Sequence, residues 1–132
     1  MISGRISPNG EKMAEYTVIP TDKFNDDVEY YVKKKKYKHI DEDIKSVTDE
    51  LEKGNLIGAE IPHIQVETGE HTFKVRTANT DTKSGKSNGY RIIYYVIKDD
   101  AEIYLVTIYS KKDSTRIPSD KDIIRMIAEY CM

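Results

Sequence analysis

Five basic side chains lie on or directly after three predicted strands in the second half of the chain. Lys74 and Arg76 project from the same face of one strand, and Arg91 begins the next strand. Lys111 and Lys112 follow the end of the third strand. If these strands pair antiparallel in order, the start of the middle strand lies beside the end of each neighbour. We therefore expect the cations to converge at one end of a sheet, where they can bind the phosphates of a nucleic acid.

The charge of the chain is polarised, although its net value is only −2. Residues 1–72 hold 10 Lys or Arg against 15 Asp or Glu, whereas residues 73–117 hold 9 against 5. Local positive potential attracts a phosphate backbone, so the net charge does not exclude a nucleic-acid binder. Lysines outside the predicted cluster, such as Lys98 and the run at 33–36, are interpreted as ordinary surface cations.

The motifs of several other catalytic classes are missing from the sequence. It has no phosphate-binding loop of the GxxxxGK[ST] type, no Cys/His cluster at zinc spacing and no nucleophile elbow. The acidic groups at 26–27, 41–43 and 99–100 are expected to lie solvated on helix surfaces or in a turn. We therefore expect no metal site.

The histidines and the cysteine give a weaker signal than the basic cluster. Two histidines can act as the base and the acid of a ribonuclease, and His39, His63 and His71 could supply such a pair. No spacing in the sequence brings two of them together, so we expect ordinary surface or loop histidines. Cys131 is the only cysteine and is expected to be an unreactive thiol.

Helices are predicted in the first half of the chain, after a short strand near residues 16–20. Pro20 confines that strand to an edge or an end of the sheet. Asp22 can cap the first helix. The second helix carries apolar residues at i, i+4, i+7 and i+11 from Ile40 and ends near Gly54. Together they predict a helical hairpin with one apolar face.

Strands dominate the second half, where the apolar period changes to two from His71 onward. Residues 91–97 are apolar on both faces, as in a central strand, and 103–109 form a second buried strand after a turn at 99–100. Ser119 can cap a last helix. The pattern predicts an α+β fold in which a helical hairpin and a C-terminal helix pack on a mostly antiparallel sheet.

The predicted organisation is a disordered leader over residues 1–13 and a single domain over 14–132. No apolar run reaches the roughly 18 residues that span a bilayer. The N-terminus has no apolar core of the signal-peptide type. The expected compartment is therefore the cytoplasm.

Three segments together carry strand cations, a Gly/Lys loop and a basic strand end: FKVRTA (73–78), KSGKSNGYRIIYY (83–95) and LVTIYSKKD (105–113). This combination resembles toxins of the RelE/ParE superfamily, and most closely the HigB-like branch. The resemblance implies a RelE-like fold and a metal-independent, cofactor-free mRNA endoribonuclease that acts on the ribosome. It also implies a cognate antitoxin protein as partner.

The resemblance assigns catalytic roles to Arg76, Arg91, Tyr109, Lys111 and Lys112, and RNA binding to Lys74, Lys83 and Lys86. In such a site a ribose 2′-hydroxyl attacks the adjacent phosphate in line. The arginine at 91 then stabilises the pentacoordinate phosphate, and one lysine of the pair at 111–112 supports the leaving oxygen. The tyrosine at 109 can stack on a base or donate a proton.

The chain departs from the family pattern at one point. Many RelE toxins carry a functional tyrosine a few residues beyond the basic pair, whereas this chain reads STRIP at 114–118. The segment 79–89, which holds two of the RNA-binding lysines, is predicted to be a mobile loop.

Two alternative functions stay open: a non-enzymatic ParE-like toxin that binds DNA gyrase, and a catalytically inactive domain that binds an antitoxin.

Overall fold

The computed structural model of the protein describes residues 5–6, 12–13, 15–64 and 69–132. Its elements in chain order are β1 (Arg5–Ile6), β2 (Lys12–Met13), β3 (Thr17–Pro20), α1 (Asp22–Lys33), α2 (Ile40–Glu52), β4 (Ala59–Glu60), β5 (Glu70–Thr77), β6 (Tyr90–Ile97), β7 (Glu102–Ser110), a 3₁₀ turn (Ser114–Arg116) and α3 (Asp120–Tyr130). Most of the expected leader lies outside the described residues. Within it, β1 and β2 pair antiparallel.

The five-stranded main sheet has the order β3-β7-β6-β5-β4. β5, β6 and β7 pair antiparallel in sequence order, which confirms the arrangement predicted for the three strands. β3 pairs parallel to β7 at the edge of the sheet, the kind of place to which Pro20 confines it. β7 carries one extra residue, Val106, between the partners of Ile93 and Tyr94, so its ladder contains a β-bulge.

Helices cover both faces of the sheet. α1 and α2 pack on one face, where Ile92 and Tyr94 of the central strand β6 meet Phe24 of α1. α3 packs on the opposite face, where Ile93 of β6 meets Ile123. β6 is buried on both sides, and the predicted α+β class is confirmed. None of the described helices is long and apolar enough to cross a membrane.

The helix starts agree with the sequence except at α1. Thr21, not Asp22, is its N-cap: the Thr21 hydroxyl accepts a hydrogen bond from the Phe24 N–H (3.1 Å) and donates one to the Leu105 carbonyl (2.8 Å). Ser119 caps α3 in a complete capping box, as the sequence predicts. Thr21 therefore joins the start of α1 to β7.

The outer edge of β7 is satisfied by side chains of α1 beyond the point where β3 ends. Asp27 is buried and accepts hydrogen bonds from the Ile108 N–H (3.3 Å) and from the Thr107 hydroxyl. Its other oxygen accepts from Arg116 (2.9 Å), and the Ser110 N–H donates to the Tyr31 hydroxyl (2.8 Å). The prediction that the aspartates at 26–27 are both solvated is therefore wrong for Asp27, because α1 carries it against an otherwise open strand edge.

Substitution of Asp27 tests this network. Asp27→Ala leaves buried donors of β7 and the Arg116 guanidinium without their acceptor, so we expect a loss of about 3 kcal/mol of unfolding free energy. Asp26→Ala is the matched control, because Asp26 is exposed, and it should change stability by less than about 0.5 kcal/mol. Urea denaturation of both variants measures the difference, and equal losses would contradict the assigned role.

Candidate nucleic-acid interface

Arg76, Arg91 and Tyr109 form one row across three neighbouring strands. Arg76 is the register partner of Arg91 in β5 and β6, and Arg91 is the partner of Tyr109 in β6 and β7. Directly opposite residues project to the same face of a sheet, with Cβ atoms about 5 Å apart. We call these three residues the arginine row. It lies on the face that α3 partly covers, because Tyr109 belongs to the cluster around Ile123.

The start of β6 is held tightly against the end of β5. A Cβ atom at Gly89 would lie 2.2 Å from the Thr77 carbonyl oxygen, so no larger residue fits there without a shift. Arg91 follows two residues later and is only 8% exposed. Its Nη1 donates to the Ser87 carbonyl (3.1 Å), which orients the guanidinium. The close approach and this hydrogen bond together fix Arg91 in the row.

Neither arginine of the row is neutralised by a described carboxylate. The other two arginines with described side chains are paired, Arg116 with Asp27 (2.9 Å) and Arg125 with Asp122 (3.3 Å). Like charges directly opposite each other across strands destabilise a sheet by up to about 1 kcal/mol. A bound anion, such as a phosphate, would remove that repulsion.

Tyr109 supplies a neutral hydroxyl to the row. Burial raises its pKa, and the positive charge of Arg91 opposes that shift only in part. The phenol is therefore protonated at physiological pH and cannot serve as a base. Its hydroxyl makes no hydrogen bond to a described residue, so it remains able to donate one to a ligand.

The RNA-binding lysines predicted from the sequence are only partly brought to the row. Lys74 is exposed on the same face of β5 as Arg76, two residues earlier in the strand. Its register partner in β6 is Ile93, so Lys74 lies beside the arginine row and not in it. Lys74, Arg76 and Lys86 also line a groove of about 680 Å³ between β5 and α2. Lys83 is exposed in the loop, where the structure shows it in no contact with the row.

The two lysines of the basic pair after β7 have different surroundings. The Lys111 N–H donates to the Gly89 carbonyl (2.9 Å), so Lys111 extends the ladder beside the start of β6. Lys112 instead lines a small pocket with Tyr31 and Tyr37 on the side of α1. The predicted convergence therefore holds for Arg76, Arg91 and Tyr109, with Lys111 adjacent, and does not include Lys112.

The segment 79–89 is a loop, as predicted, but contacts with α2 hold it in place. Asp43 is buried and accepts from the Thr80 N–H (2.9 Å) and hydroxyl (2.5 Å), so its predicted solvation is wrong. Asp81 accepts from the backbone of His39 (2.8 Å) and contacts its Nδ1 (2.8 Å). These positioning residues are about 40 positions from their partners, and no local sequence signal identifies them.

Each histidine pairs with a different carboxylate. His39 contacts Asp81, and this hydrogen bond raises its pKa. His63 contacts Asp120, and His71 contacts Glu60. The three therefore serve separate contacts and form no acid–base pair with one another.

Neither a metal cluster nor a reactive thiol is found at the site. Within the described ranges, no group of three His, Cys, Asp or Glu side chains could hold a metal ion. Cys131, the C-cap of α3, is buried among apolar residues, and burial raises the pKa of its thiol to about 12. This agrees with the prediction of an unreactive cysteine.

The fold and the row define a class of structure: a small α+β protein whose central strands present two unpaired arginines and a buried tyrosine on one face. No protein-family model matches the chain, and no curated protein matches it in sequence.

The repulsion within the row predicts that function and stability conflict at Arg76. Arg76→Gln removes one of two facing positive charges, so we expect unfolding free energy to rise by about 0.5 kcal/mol at low salt and less at high salt. Arg125→Gln removes an exposed arginine that has a carboxylate partner, and it should lower stability slightly. Thermal denaturation at two salt concentrations measures both; a salt-independent loss in Arg76→Gln would show that no such repulsion exists.

Proposed function

We propose that the protein is the toxin of a type II toxin–antitoxin pair, a metal-independent endoribonuclease that cleaves mRNA, on the ribosome, and so inhibits translation. The observation that carries the proposal is the facing pair Arg76 and Arg91, unneutralised and in register with Tyr109. The sequence motifs that resemble RelE and HigB toxins contain all three residues, which links the motif to the geometry.

The arginines suit the electrostatic part of the reaction. Attack of the 2′-hydroxyl on phosphorus gives a pentacoordinate phosphate with more negative charge than the ground state, and fixed cations stabilise it selectively. Arg91 is oriented by Ser87 before substrate arrives, so little reorganisation is needed. Arg76 is exposed and can meet the incoming phosphate.

The proton transfers can be assigned from the same row. The 2′-oxygen forms a bond to phosphorus and the bond to the 5′-oxygen breaks, giving a 2′,3′-cyclic phosphate and a 5′-hydroxyl. Tyr109 is protonated and can donate to the leaving 5′-oxygen. Arginines stay protonated, so neither can take the 2′-proton. That proton passes to solvent water.

An antitoxin is the proposed protein partner. Antitoxins of such pairs often fold a disordered segment over the toxin. The groove beside β5 has apolar residues, Val47 and Ile57 among its lining, together with Lys74 and Lys86. A segment with apolar and acidic residues would match it and would cover Arg76. The proposed compartment is the cytoplasm.

The decisive experiment compares transcripts after induction of the toxin without antitoxin. Wild type should arrest growth and produce new transcript ends by primer extension. Arg91→Ala should reduce cleavage about 100- to 1,000-fold, as loss of one preorganised donor does in other enzymes. Arg125→Ala is the control and should cleave normally. Growth arrest without new ends, together with inhibited DNA supercoiling, would instead indicate the non-enzymatic alternative.

Tyr109→Phe tests the proton donor separately. The substitution keeps the buried ring and removes only the hydroxyl, so we expect cleavage to slow about 100-fold with little change in stability. A substrate with sulfur in place of the leaving 5′-oxygen needs no proton and should restore the rate of the variant. If the sulfur substrate is slowed as strongly as the normal one, Tyr109 acts by packing or base stacking.

A further inference from the structure

The lysines after α1 lie at the same end of the sheet as the arginine row. α1 runs beside β7 in the same direction: Thr21 bonds to Leu105 near its start, and Tyr31 bonds to Ser110 near its end. The C-terminal end of α1 therefore lies where β7 ends and β6 begins. The lysine run, which the sequence presents as an ordinary charged stretch, follows directly.

Aromatic packing holds this run over the end of the sheet. Tyr37 stacks on Tyr31 (5.9 Å between ring centroids, 5° between planes) and meets Tyr90 edge-on (6.4 Å). The Tyr37 N–H also donates to the Tyr31 carbonyl (3.0 Å), and Lys36 has a φ of +62°. Because Tyr90 immediately precedes Arg91 in β6, the lysines are positioned next to the arginine row, on the other face of the sheet.

Five lysines form this second cationic surface, which we call the hairpin-side lysine cluster: Lys34, Lys35, Lys36, Lys38 and Lys112. All five are exposed, and none lies within ion-pair distance of a described carboxylate. By contrast, Lys23, Lys33, Lys45 and Lys53 each pair with an Asp or Glu. Lys98 and Lys121 also lack an ion pair, but they lie singly on other parts of the surface, whereas the five lysines of the cluster lie together.

A small pocket joins two lysines of the cluster. Lys35 and Lys112 line it together with Tyr31, Tyr37 and Asp113, and its volume of about 90 Å³ is that of about three water molecules. Asp113, the acid in this lining, accepts hydrogen bonds from the hydroxyls of Tyr31 (3.4 Å) and Thr115 (3.1 Å). These neutral donors leave the charge of Asp113 in place, so the two lysines and the one carboxylate of the lining give the pocket an excess of positive charge.

We propose that the hairpin-side lysine cluster binds the phosphodiester backbone of a single RNA strand beside the cleaved linkage. The strand passes round the end of the sheet, from the arginine row on one face to the pocket of Lys35 and Lys112 on the other. This inference rests on the proposed function, since it names where the same substrate continues. It also gives Lys112, which the fold removes from the arginine row, a role in binding rather than in catalysis.

Binding of an uncleavable strand tests the proposal. The probe is a 2′-O-methyl RNA of about 12 nucleotides, and the variant is Lys34→Gln/Lys35→Gln/Lys112→Gln. The control is Lys45→Gln/Lys53→Gln/Lys121→Gln, which makes the same change in net charge on other surfaces. Loss of three phosphate contacts should flatten the slope of log affinity against log salt by about 2 and weaken binding at least 10-fold at low salt. The control should bind within about 3-fold of wild type.

Two further arms separate this inference from the nuclease proposal. A 2′-O-methyl dinucleotide reaches only the arginine row, so its binding should be lost in Arg91→Ala and kept in the lysine variant. If the lysine variant binds the 12-mer like wild type, the inference is overturned while the nuclease proposal is unaffected. If it loses only duplex RNA, the proposed path of a single strand is overturned. If wild type binds the 12-mer through these lysines but cleaves no transcript in cells, the nuclease proposal alone is overturned.

Discussion

The arrangement of the molecule depends on the register of the central strand β6 against its two neighbours. β6 is apolar on both faces, so hydrophobic burial alone would tolerate a slip by one residue. Such a slip would turn Arg91 to the opposite face and break the row. The alternation of β5, with Val75 buried and Arg76 exposed, and the tight contact at Gly89 select the observed pairing. The geometry of the site and the stability of the sheet are thus set by the same contacts.

Charge is used in two different ways in this protein. Where ionic groups serve the structure, they are paired or hydrogen-bonded: Asp27 with Arg116 and Lys23, and Asp43 with Thr80. The arginine row and the hairpin-side lysine cluster, by contrast, have no ion-pair partner among the described carboxylates, which costs stability and attracts polyanions. A net charge of −2 therefore conceals a surface that is locally cationic.

Local patterns made much of the fold predictable from the sequence. The period-two strand at Lys74 and Arg76, the hairpin between β6 and β7, and the Ser119 cap each depend on residues close together in the chain. The features that could not be predicted depend on the lengths of the helices and strands. β3 is short and α1 continues past it, which buries Asp27 and brings Tyr37 with its flanking lysines to the end of β6. No periodicity in the sequence predicts that contact, nor does it reveal that Lys112 lines a pocket on the side of α1.

The two edges of the main sheet differ in what another polypeptide could do with them. On the β7 side, Asp27 and Tyr31 already occupy backbone donors that β3 leaves uncovered, so that border offers an approaching chain little to pair with. On the β5 side, β4 pairs with only Phe73 and Lys74. Past Lys74, the described residues provide β5 with no outer strand. Along that stretch of β5, the positive charge of Arg76 works against unwanted edge-to-edge association, the usual hazard of an open strand.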